Sequence, residues 1–190
     1  MPKIRILFVM AAVAAGLACS VNVKKDETGN EKKVDIDTPF GGIHVNNNAD
    51  VRDTGLPVYP GARIKPKTDA GEEKSANVDI STSEFGLKVV AVEYESDDAP
   101  ARLTSYYQRE LKKYGSVLLC HTSHRVSYTR DHDTDSKSEA LKCEGDNTGN
   151  TIELKVGTES NQHIVAIEPK DKGSDLSLVY VRTRGKEGTI

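Results

Sequence analysis

Residues 89–120, VVAVEYESDDAPARLTSYYQRELKKYGSVLLC, constrain the fold more than any other stretch of the chain. Val90, Val92 and Tyr94 alternate with Ala91, Glu93 and Glu95, the period of two expected of a strand with one buried face. Ser96, Asp97 and Asp98 then offer side-chain oxygens to the free amides of a helix start, and Pro100 falls in the first turn, where a missing N–H costs nothing. Leu103, Tyr106, Tyr107, Leu111 and Tyr114 recur at helical spacing, with Arg102, Gln108, Arg109, Lys112 and Lys113 mostly on the other side. Gly115 suits a left-handed helix end, and Val117 to Cys120 resume a strand. The pattern predicts strand, helix (about 98–114), strand.

Short apolar-alternating segments surround this unit. Residues 34–45 predict a hairpin turning at 38–42, and 78–82 with 87–95 predict another around 83–86. Further strands are expected at 116–121, 125–129, 139–144, 151–156, 162–168 and 176–183, separated by turn-rich connections. Pro57 and Pro60 exclude a regular helix and leave an extended entry segment in which Tyr59 is buried, with a turn at Pro60-Gly61. The sum is one α+β domain over 34–184, mainly a meandering antiparallel β-sheet with one principal amphipathic helix, followed by a frayed tail at 185–190.

The N-terminus is an address. Lys3 and Arg5 precede an apolar run at 6–16, too short to span a bilayer permanently. The run Gly16-Leu17-Ala18-Cys19 resembles the lipobox of bacterial lipoproteins, with Gly16 where that family usually has Leu. The resemblance covers about the first 20 residues. It implies a signal peptide over 1–18, diacylation of Cys19 as the mature N-terminus, and attachment to a lipid bilayer in the bacterial envelope. Ser20 stands where many inner-membrane lipoproteins carry Asp, so the resemblance points to the outer membrane, facing the periplasm. The alternative is an ordinary secretory signal cleaved near Ala18, leaving Cys19 a free thiol. Residues 20–33 are polar and read as a flexible tether of about 20 Å.

Removing Lys3 and Arg5 leaves 24 basic residues against 29 acidic, a balance of −5 with no basic run beyond pairs, which argues against nucleic acid as a partner. Cys120 and Cys143 remain as an even pair in an oxidising compartment. Their bond would close a loop of about 24 residues, worth roughly 3 kcal/mol in the chain-entropy view. Two buried thiols, or a Cys120–His nucleophile, are the alternatives.

His121, His124 and His132 are the candidate metal ligands, with Asp131, Asp133 and Asp135 nearby. His121 and His124 lie three apart in a strand–turn region, so a site requires the chain to fold back and bring His132 alongside. The aspartates have the one-three-five spacing of an EF-hand, but Ser136 replaces the turn glycine and Lys142 the final glutamate, which excludes that motif. No G-x-S-x-G or glycine-rich phosphate loop occurs. Tyr106, Tyr107 and Tyr114 read as core. No cofactor is implied. The chemistry favours a non-catalytic binding or structural domain, contacting an envelope protein or ligand; a metal-assisted envelope hydrolase using His121, His124 and His132 is the competing reading.

Overall fold

The computed structural model describes residues 20–25, 31–65, 74–123, 140–145 and 147–185. Its organising strand is β6 (Gly86–Ser96), built on the alternation of Val90, Val92 and Tyr94. One edge of β6 pairs along its whole length with β10 (Ser174–Arg184). The other edge is shared between β5 (Ser75–Thr82) and the two-residue β4 (Arg63–Ile64). Between them, the Glu93 N–H donates to the Lys74 carbonyl at 2.8 Å and the Glu93 carbonyl accepts from Lys65 N–H at 3.1 Å. The ladder therefore continues where β5 stops.

Beyond β5 lie β3 (Gly41–Asn46), β2 (Glu31–Thr38) and β1 (Ser20–Lys25). Beyond β10 lie β9 (Asn161–Pro169), β8 (Thr151–Thr158) and β7 (Leu118–Thr122). The strand order is β1-β2-β3-β5-β6-β10-β9-β8-β7, and every neighbouring pair is antiparallel. The α+β class and the meander are as the sequence predicts. The chain runs out along β6, crosses the sheet through α1 (Pro100–Leu111), and returns strand by strand from the far edge.

α1 lays Leu103, Tyr107 and Leu111 onto β6, β10, β9 and β8, where Val92, Tyr94, Leu176, Leu178, Val165, Ile167, Leu154 and Val156 are buried. Residues 49–62 close the rim of this core. Leu56 enters it, and the fully buried Thr54 turns its hydroxyl on Val51 O at 2.6 Å. The Thr54 carbonyl accepts from His163 Nδ1–H at 2.8 Å, which fixes the imidazole tautomer. Burial holds the His163 pKa below its ordinary value, against the opposing pull of that carbonyl. Gly55 sits at φ 69 directly after Thr54, and a Cβ there would stand 3.2 Å from the His163 ring. The turn thus needs glycine for its backbone as well as its space.

Several expectations give way. Residues 20–25 form β1, paired with β2, and residues 31–33 belong to β2, so the described parts of the segment read as a tether are strand, and among the described residues the sheet begins at Ser20. The cause was legible: Val21 and Val23 alternate with Asn22 and Lys24, a pattern masked by the surrounding charge. Ser96, Asp97 and Asp98 do not cap α1. The N-cap is Ala99, with no side-chain bond, because Asp98 is engaged by the Tyr59 hydroxyl at 2.7 Å and by Arg102 at 3.0 Å. The helical run ends in a 3₁₀ turn, Lys112–Tyr114, and Gly115 takes φ 142 and ψ −159 in place of the left-handed conformation. That tightening swings Tyr114 out to 37% exposure, where its hydroxyl donates to the Gly55 carbonyl and its ring lies 4.4 Å from that of His163. The described part of the expected strand at 139–144, residues 140–144, is not a strand; the expected strand at 125–129 and the tail beyond 185 lie outside the described residues.

Leu111 is fully buried and Lys112, its neighbour, is exposed. Leu111→Ala should therefore destabilise the protein by about 2–5 kcal/mol. Lys112→Ala should cost less than about 0.5 kcal/mol. Urea midpoints of the two variants should separate accordingly.

Candidate functional site

The register places side chains in rows, and the rows define two faces. On the face opposite α1, Val21, Ile36, Ile43, Ile80 and Leu87 lie side by side from β1 to β6. The next row is Val23, Val34, Val45, Val78, Val89 and Val181, reaching β10. A third runs Ala76, Ala91, Val179 and Ile164, reaching β9. On the α1 face of the same strands, the intervening row is Asn22, Asp35, His44, Asp79, Lys88 and Arg182. There Asp35 accepts from His44 at 3.0 Å and pairs with Lys33 at 2.8 Å; the Lys33 and then the His44 hydrogen bond hold its carboxyl below the usual range.

The apolar side of the β1–β5 wing is therefore turned away from the helix, so α1 does not cover it. None of its described aliphatic side chains is fully buried; Val21 is 64% exposed, Val23 41% and Ile43 39%. Strand and residue spacings make the three rows about 24 Å by 14 Å between outer Cα atoms. With side-chain overhang the patch covers about 500 Å², near the upper end of what monomeric proteins expose.

The opposite end of this face is covered. Cys143 is bonded to Cys120 on β7, with Cα atoms 5.4 Å apart, as the cysteine count leads one to expect. The bond lays residues 140–145 across β7 and β8, with Glu144 pairing the buried Lys155 at 3.4 Å. Glu153 completes that lysine's environment at 3.3 Å. Residues 147–149 close the outer edge of β7: Asn147 Oδ1 accepts from His121 N–H at 2.6 Å, and Gly149 N–H donates to the His121 carbonyl at 3.4 Å.

A charged corner completes the face. Lys65 Nζ lies 2.5 Å from Asp175 and 3.7 Å from Glu93, Lys74 lies 3.6 Å from Glu93, and Lys170 lies 2.7 Å from Asp175. Burial pushes the Asp175 carboxyl up, but Lys170 and Lys65 outweigh it and the pKa falls below its ordinary value. Burial likewise opposes the charge on Lys65, and Asp175 with Glu93 raises its pKa on balance. Sequence reasoning missed this cluster, since its members come from four separated strands or loops.

Of the candidate metal ligands, His121 is half-buried on β7, on the α1 face opposite Ile152. His124, His132 and the aspartates at 131, 133 and 135 lie outside the described residues, as does Cys19. Among the described residues, no three His, Cys, Asp or Glu side chains are grouped to hold a metal. Tyr107 is core, its hydroxyl donating to Pro57 O at 3.0 Å, and Tyr106 stands edge-on between Tyr107 and Tyr59. No protein-family model, curated protein or solved structure matches the chain.

Two outcomes follow. Cys120→Ser should cost about 2–5 kcal/mol, and the double serine variant scarcely more, as read from denaturant midpoints. Thiol counting on unfolded, unreduced protein should find neither cysteine free. Separately, the depressed Asp175 pKa makes its contribution complete above the unfolded value of about 3.9 and lost as pH falls through the native value. Asp175→Asn should be less stable at neutral pH and should show a shallower acid limb below about pH 4 than the native protein.

Proposed function

We propose that this chain is a lipid-anchored domain of the bacterial envelope that works by non-catalytic binding, using the open aliphatic sheet face to contact an envelope protein with a complementary apolar surface. The observation that carries the reading is the set of aliphatic rows from β1 to β10 lying outside any covering layer among the described residues. Leaving such a surface in water forgoes about 25 cal/mol for each Å² that could be buried, so a partner that covers it gains a large driving force. Export is supported by the leader resembling a lipobox, ending at Cys19, and by a disulfide that persists in oxidising compartments.

Photo-crosslinking residues placed along single strands test the face. Incorporation at Val23 or Ile43 in intact cells should give a discrete adduct, whereas incorporation at Asn22 or His44, adjacent on the same strands but on the other face, should not. Equal labelling from both faces would overturn the binding reading. The anchor is tested separately by metabolic labelling with a fatty acid, which the native chain should incorporate and Cys19→Ala should not.

A further inference from the structure

The antiparallel register gathers one end of the sheet into a single cluster of turns. Thr38 pairs with Gly41 across the β2–β3 turn, Gly41 with Thr82, and the β5–β6 turn follows at residues 83–85. Ser20, opposite Asp37, begins β1 at this same end. Phe40, in the first turn, is 74% exposed, the most exposed of the large apolar side chains described. Phe85 lies in the second turn, half-buried. Val21 and Ile43, in the aliphatic row nearest this end, are 64% and 39% exposed. The opposite end holds the β9–β10 turn at residues 170–173, with Lys170, Asp171 and Lys172, the start of α1, and one exposed aliphatic side chain, Ile64 on β4 at 67%.

From this placement we infer that the Phe40 end of the sheet seats on the lipid bilayer, with Phe40 and Val21 at the headgroup–acyl boundary and the strands rising from the surface. The inference rests on the anchored reading above. Cys19 precedes Ser20 by one peptide link, about 3.8 Å between Cα atoms, so acyl chains on Cys19 leave no slack between the membrane and this end. At 74% exposure Phe40 contributes little to the core; inserted at an interface its ring is buried. Charges at this end are of both signs (Asp37, Glu84 and Glu159; Lys88, Arg182 and Arg184), so the contact is set by apolar insertion and not by a field that selects anionic lipid.

The chain contains no tryptophan, which makes a single introduced one a clean depth probe. Full-length acylated Phe40→Trp is reconstituted in phosphatidylethanolamine–phosphatidylglycerol vesicles containing lipid brominated near the top of its acyl chains. Lys172→Trp, in the exposed turn at the far end, is the reference. The expected result is blue-shifted emission from Trp at position 40 and quenching severalfold stronger than at position 172. Equal quenching, or none, in protein that carries the acyl label would overturn the seating while leaving the anchor intact. Absence of acyl label on the native chain would overturn the anchor, and the seating with it.

Discussion

The pairing of β6 with β10 is the interaction on which the rest of the structure depends. It joins residues 86–96 to 174–184 along eleven consecutive registers, closing a loop that contains α1 and β7 to β9. Closing so long a loop costs conformational entropy that grows only slowly with length. The return comes from both faces of β6 and β10 at once. One face enters the core beneath α1 and residues 49–62 through Val92, Tyr94, Leu176 and Leu178, and the other adds Val89, Ala91, Val179 and Val181 to the open surface. A strand apolar on both faces is suited to the middle of a layered structure. Here only one of the two layers comes from the described chain.

The exposed rows and the helix core are therefore not independent features. A wing whose apolar residues faced α1 would have required a second helix to cover it. By placing Asp35, His44, Asp79 and Lys88 on the helix side, the sequence spares that helix and leaves the aliphatic side uncovered among the described residues. The disulfide-held segment at 140–145 marks where that open surface ends, because it occupies the same face over β7 and β8.

Much of this architecture is legible from local pattern. The period of two in 78–95 and 151–183 locates the strands, and the spacing of Leu103, Tyr107 and Leu111 gives the buried helix face. What escapes depends on partners distant in sequence. Tyr114 fits the helical stripe, yet the 3₁₀ turn before Gly115 carries it to the Gly55 carbonyl. Asp98 has the chemistry of a cap, yet Tyr59 and Arg102 claim it. Lys65 and Asp175 form an ion pair across 110 positions, which no window on the chain would reveal. The face itself was half readable: each strand's alternation was visible, but which side α1 would take was decided only by the register across β5 and β6.

The two edges of the sheet are not equivalent, and this limits how copies of the chain could associate. At β7 the backbone of His121 is already engaged by Asn147 and Gly149, and a Cβ on Gly149 would meet the Thr122 backbone at 1.7 Å, so no further strand fits at that point. Among the described residues nothing pairs with the outer edge of β1. Among the described residues, the main strand order is therefore open at β1 and obstructed at His121 of β7, and β1 against β1 would be a two-fold arrangement. Such an assembly terminates at two copies. An edge-to-edge fibre needs a receptive strand at each end of every unit, and the described residues at His121 obstruct one of them.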